Sequence, residues 1–209
     1  MPEPSVLLAF ALASVVLLVV PGPTIALVIA RTLSQGRHAA VPLVLGIGLG
    51  DLVAATVSLA GVGALLAASA AAFTIVKWIG ALYLVWIAIT LWRDPAIAPD
   101  VRTGTAPVSQ WRSFRDAFLV TVFNPKGIVF FIAFVPQFVA TDAAYLPQAA
   151  TFVLLFTLLG MANGIAYAWG ADRMRRAIRR PKVLRAMTRA GALAIGTAGI
   201  ATLFARRTS

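Results

Sequence analysis

Two short runs in this chain put groups capable of chemistry inside otherwise apolar sequence. Pro21-Gly22-Pro23 interrupts one run, and Asn124-Pro125-Lys126 interrupts another. Asp51 closes the stretch GIGLGD, and Asn163 lies within GMANG. A proline removes one backbone donor and collides with the carbonyl four residues back, so each break frees backbone groups. Freed carbonyls suit a cation, and freed N–H groups suit an anion. The residues expected to contact a small polar substrate are Pro21, Gly22, Pro23, Asp51, Asn124, Pro125, Lys126 and Asn163. Asp51 and Lys126 are the candidates for proton coupling, since buried ionisable groups in membranes mark ion and proton pathways. The chain uses fifteen Arg and only three Lys, so a lysine at 126 stands out. A compact ammonium can change protonation when buried, whereas guanidinium stays charged.

Other chemistries are poorly provided for. The chain has no cysteine, which excludes disulfides, CxxC redox motifs and thiolate metal sites. Its one histidine, His38, reads as an exposed loop residue at the entrance to the second span. A metal-cation exporter would want several oxygen ligands, and Asp51 is a lone deep carboxylate beside a repelling lysine. A membrane enzyme or assembly factor would need a catalytic constellation, and none can be assembled. No metal or cofactor is expected.

The elements that must position these residues are membrane helices. The chain has 209 residues, 60% of them hydrophobic and 12% charged, with a mean hydropathy of +0.90. Soluble domains carry about 25% charged residues, so the class is an all-α integral membrane protein. Six apolar runs approach the roughly 20 residues of a spanning helix: about 5–31, 41–67, 72–92, 114–139, 146–171 and 186–205. The boundary between the second and third, in AASAAAF, is blurred. The opening MPEP carries Glu3 and no basic residue, so the first run reads as a retained helix rather than a signal peptide.

Positive charge sets the expected orientation. Fourteen of the eighteen basic residues fall around the first, third and fifth connections, including eight between Arg173 and Arg189. Those connections are expected in the cytoplasm, with both termini on the outer side. The net charge of +11 is thereby topogenic, set against anionic lipid, and no nucleic-acid partner is expected.

Six spans divide into two halves of three with inverted topology. One transport domain covers 1–209, with repeat one at about 1–93, a cytoplasmic loop at about 94–113 and repeat two at about 114–209. The first span of each half is the broken one. Counting from the cytoplasmic ends, Gly22, Asp51, Lys126 and Asn163 lie nine to eleven residues deep, or roughly 13–17 Å. That is near the middle of a hydrocarbon core about 30 Å thick. A charge there costs about 2.5–3.5 kcal/mol, acceptable if Asp51 and Lys126 face each other or a wet cavity. A buried structural ion pair is the competing reading.

Gly46-xxx-Gly50 and Gly160-xxx-Gly164 occupy corresponding spans and read as close-packing faces, open to intrachain packing or a homodimer. Trp78, Trp92 and Trp111 suit an interfacial belt, while Tyr83, Trp86, Tyr167 and Trp169 cannot be oriented from sequence.

VVPGPTIALVIARTLSQGRHA, GIGLGD and FNPKGIVFFIAFVPQF together resemble the LysE/RhtB family of bacterial amino-acid exporters, over essentially the whole chain. The resemblance implies that Pro21, Gly22 and Pro23 form the break of one half, and Asn124, Pro125 and Lys126 its counterpart. It implies that Asp51 is the family's acidic residue and that Pro136, Gln137 and Phe138 close the fourth span. It further implies export of amino acids or derivatives such as lysine, threonine, homoserine or homoserine lactone, driven by the proton gradient across the bacterial cytoplasmic membrane. Alternating access around a zwitterion held between the breaks is the expected mechanism.

Overall fold

The computed structural model describes residues 2–68, 70–93, 108–140 and 142–171, together with 189, 190, 193, 196, 197 and 200. Every regular element among the described residues is helical. Helix α1 (Pro4–Val19) stops where Val20 turns extended ahead of Pro21. Helix α2 (Pro23–Gln35) restarts at once, with a proline in its first turn where the missing N–H costs nothing. The two axes differ by 58°. α2 ends at Gly36, whose φ of 77° is a left-handed conformation that favours glycine. A 3-10 turn (Arg37–Ala39) leads into α3 (Ala40–Ala68), which is followed by α4 (Ala70–Arg93).

The second break is built differently. Helix α5 (Gln110–Val122) starts at Ser109, whose side chain accepts a hydrogen bond from the Arg112 N–H. It ends before Asn124, which caps the next helix by accepting from the Lys126 N–H at 3.2 Å. That helix, α6 (Pro125–Val129), passes into a π-helical turn (Phe130–Phe134) and a 3-10 turn (Val135–Phe138) containing Pro136. The bend between α5 and this segment is 41°. Helix α7 (Tyr145–Trp169) follows.

Among the described residues, Arg37–Ala64 and Tyr145–Trp169 are each long and apolar enough to cross a membrane, and each bent pair qualifies when taken as one span. The boundary blurred in sequence lies between Ala68, where α3 ends, and Ala70, where α4 begins. The expected sixth span, 186–205, lies outside the described residues except for isolated positions, as do the basic run after Ala171 and most of the 94–113 loop.

Helix α3 packs most extensively against α5 and α7, and glycines make that possible. A Cβ at Gly46 would run into the Phe114 carbonyl oxygen, with Ala117 Cβ at 3.0 Å and the Phe118 nitrogen at 3.1 Å. A Cβ at Gly50 would meet Thr121 Cβ at 2.7 Å. Gly160 and Gly164 face α3 in the same way, against Asp51 and Ile47. All four glycines therefore pack against neighbouring helices of the same chain. Toward the other end, Phe10 meets Phe130, Phe138 and Phe152 at ring-centroid distances of 4.8–6.0 Å, tying α1 to the segment after α6 and to α7. Trp111 and Trp169 are both 69% exposed, so Trp169 faces outward rather than toward the interior.

Candidate functional site

The break after α1 leaves the carbonyls of its last turn without intrahelical partners. Each one is met by a side chain from the second half of the sequence. Lys126 Nζ donates to the Leu17 oxygen at 2.8 Å and to the Val20 oxygen at 2.9 Å. Asn163 Nδ2 donates to the Leu18 oxygen at 3.1 Å. The Tyr167 hydroxyl donates to the Val19 oxygen at 2.7 Å. Four consecutive carbonyls are thus capped from α6 and α7. A cation at a helix C-terminus also matches the negative end of the helix dipole. Asn163 and Tyr167 are four residues apart on α7, so they share one face.

Asp51 comes from the middle of α3 and is buried. Its Oδ2 atom is enclosed and has no hydrogen-bond partner among the described residues. A Cβ at Gly160 would collide with that same atom, so glycine there makes room for the carboxylate. Asp51 and Lys126 form no direct ion pair: among the described residues the ion pairs are Arg31–Asp116 at 3.0 Å and Arg115–Asp116 at 3.3 Å. The reading of Asp51 and Lys126 as a direct buried salt bridge is therefore set aside. Lys126 Nζ donates instead to the freed carbonyls of Leu17 and Val20.

Asp51 and Lys126 nevertheless line one cavity of about 40 Å³, together with Gly22, Asn124 and Asn163. That volume admits a few water molecules. Five of the eight expected residues thus surround one space. Pro21, Pro23 and Pro125 are not among the described lining residues; they shape the backbone around it. Neither space nor backbone requires glycine at 22, where φ is −116° and an added Cβ would lie 3.8 Å from Lys126 Nζ.

A second polar group lies on the same wall. Thr24 Oγ1 accepts from the Thr121 hydroxyl and from Asn124 Nδ2, each at 3.4 Å, linking the start of α2 to the second break. Thr24, Thr121 and Tyr167 went unassigned in the sequence reading. Tyr167 could have been found from its four-residue spacing to Asn163. Thr24 could have been found as the first polar side chain after the break.

Polar groups gathered at a helix break inside an apolar helical bundle are the marks of a membrane transporter. Residues 15–206 match the model of the LysE type translocator family, and the chain belongs to that family, whose members are transporters and not enzymes. It is 35% identical over 183 residues to an uncharacterized membrane protein of Vibrio cholerae, covering 87% of this chain and 88% of that one. It is 32% identical over 182 residues to the homoserine/homoserine lactone efflux protein of Salmonella typhimurium, with 87% and 88% covered. The leucine efflux protein of Klebsiella pneumoniae is 26% identical over 151 residues, with 72% and 71% covered. No solved structure matches the chain.

Proposed function

We propose that this protein exports an amino acid or amino-acid derivative from the bacterial cytoplasm as a secondary transporter driven by the proton gradient. The observation that carries this reading is the pairing of an unpartnered carboxylate, Asp51, with an ammonium, Lys126, in one buried cavity at two helix breaks. Their opposite charges complement a zwitterion. Asp51 accepts the substrate ammonium, and Lys126 has a third N–H beyond the two given to Leu17 and Val20. That donor, with the N-terminus of α2, receives the carboxylate. The relatives named for efflux of homoserine and of leucine support the same class of cargo.

Six spans in two inverted three-helix repeats would enclose this site, with both termini outside the cytoplasmic membrane. The bends of 58° and 41° lie in the first span of each repeat. Loading and release need this layer to open to each side of the membrane in turn. Alternating access supplies that opening, as the halves rock about the layer that holds Asp51 and Lys126. Protonation of Asp51 or deprotonation of Lys126 then couples the cycle to the gradient.

Efflux from cells preloaded with labelled homoserine, threonine, leucine and lysine tests the reading, with and without a protonophore. Loss of at least one label should be protonophore-sensitive and absent from Asp51→Asn and Lys126→Met at equal membrane abundance. Intact export by both variants would sink the site assignment.

A further inference from the structure

Helices α2 and α5 meet along a polar seam that starts at the cavity and ends at Arg31. The two run antiparallel. Thr24, at the start of α2, bonds to Thr121 near the end of α5, and Arg31, further along α2, pairs with Asp116, further back on α5. Thr24, Val28 and Thr32 recur every four residues on α2, and Thr121, Ala117 and Ser113 do so on α5. Each set shares one helix face, and every member is buried. Their order sets Thr24 with Thr121 at the cavity and Val28 with Ala117 one turn on. Thr32 and Ser113 come next, beside the Arg31–Asp116 pair. Arg31 and Arg37 mark this end as the cytoplasmic one by the positive-inside rule.

The seam is shut but poorly satisfied. Val28 and Ala117 have no exposed surface and share one apolar cluster. Beyond them, Thr32 Oγ1, Ser113 Oγ and Gln35 Nε2 are enclosed with no hydrogen-bond partner among the described residues. Burying a polar group without a partner is unfavourable, and water reaching it removes that cost. Opening is thus favoured by three orphan groups and opposed by the middle turn and the ion pair. The side chains of Arg31 and Asp116 are 20% and 23% exposed, and an ion pair that wet is weak enough to break and re-form. The contact of α5 with α3 is of another kind, because no Cβ fits at Gly46 or Gly50. α2 is bounded by Gly22 at the break and by Gly36 in its left-handed turn, so it can tilt as a unit while α5 stays on α3.

Resting on the export reading and the topology proposed above, we infer that the α2–α5 seam is the route between the cavity and the cytoplasm, and that the Arg31–Asp116 ion pair latches it shut. Cargo enters as α2 parts from α5, passing Thr32 and Ser113, whose hydroxyls are wetted in the open state.

Single cysteines in the full chain, read in inverted vesicles with the impermeant reagent sulfonatoethyl methanethiosulfonate, decide this. Ser113→Cys should react slowly, and about two- to fivefold faster once Asp116→Asn removes the latch, the range that so exposed an ion pair allows. Ser34→Cys, exposed at the same end, should react at one rate in both backgrounds. The adduct on Ser113→Cys should abolish uptake of labelled homoserine and leucine into energised vesicles, and a reductant should restore it. The adduct on Ser34→Cys should not. If Ser113→Cys fails to insert, Thr32→Cys carries the same tests. A reaction rate unmoved by Asp116→Asn, or uptake undiminished by the adduct, would overturn the inference and leave amino-acid export standing. Wild-type vesicles that take up none of homoserine, threonine, leucine and lysine would remove the export reading and the cargo route with it, whatever the labelling rates.

Discussion

The ammonium of Lys126 lies 2.8 Å from the carbonyl oxygen of Leu17, across a sequence separation of 109 residues. This contact joins the two helix breaks directly: the cation of the second is a cap for the first. Lys126→Met keeps most of the side-chain volume and removes both donors. Each buried carbonyl left without a partner costs about 1–3 kcal/mol. Relief from burying an ammonium offsets part of that. The variant should be less stable by about 1–3 kcal/mol in a detergent melt and inactive in efflux. Lys126→Arg keeps the charge but sets a planar fork where a compact ammonium sits, so transport should also be lost. Full transport by the arginine variant would show that charge alone matters at this position.

Tyr167 is the cap that can be removed most cleanly. Its hydroxyl donates to the Val19 oxygen at 2.7 Å while the ring packs in the cluster with Ile25, Leu43 and Ile47. Tyr167→Phe should cost roughly 0.5–1.5 kcal/mol, the net worth of one hydrogen bond. Asn163→Leu should cost a similar amount by freeing the Leu18 carbonyl. Both act on one turn of α1, so the double variant should depart from additivity. Strict additivity in paired thermal melts would mean that the four carbonyls do not behave as one capped unit.

The sequence located the breaks, because proline beside glycine or asparagine inside an apolar run has few other meanings. It also placed Gly22, Asp51, Lys126 and Asn163 at one depth, since helix rise is regular, and those four line one cavity. Partner choice was not legible. Asp51 and Lys126 have opposite charges at equal depth, yet Lys126 bonds to Leu17 and Val20. Backbone carbonyls carry no signature in the sequence, and the rotation of α3 about its axis decides where Asp51 points. Thr24 and Thr121 stayed hidden for a related reason: a threonine in a membrane helix usually bonds its own backbone, and only tertiary packing shows that these two meet.

Glycines on α3 divide into those that touch a neighbour and those that do not. A methyl at Gly46 would collide with the backbone of α5, which no side-chain rotation can relieve. Gly46→Ala should separate α3 from α5 and cost about 1–3 kcal/mol, the usual price of overpacking. Gly61 has nothing within 4 Å of an added Cβ, so Gly61→Ala should be neutral or stabilising by about 0.5–1 kcal/mol. Gly160→Ala tests the carboxylate pocket, because its methyl would displace Asp51 Oδ2. Its efflux should fall further than its melting temperature predicts. If Gly46→Ala and Gly61→Ala melt alike, the close α3–α5 approach is wrong.

Orientation can be read with single cysteines, because the chain has none of its own. Ser34, at the end of α2, and Asp142, just before α7, are both exposed. They lie at opposite ends of the bundle if α3 and α7 span it. The basic residues Arg31 and Arg37 flank Ser34, so the positive-inside rule puts this end in the cytoplasm. A membrane-impermeant maleimide should therefore label Asp142→Cys in intact cells and Ser34→Cys only in inverted vesicles. The opposite pattern would invert the whole topology and turn export through this site into import. Labelling of both from one side would mean that the bent pairs re-enter the membrane face they came from, and the six-span arrangement would have to be abandoned.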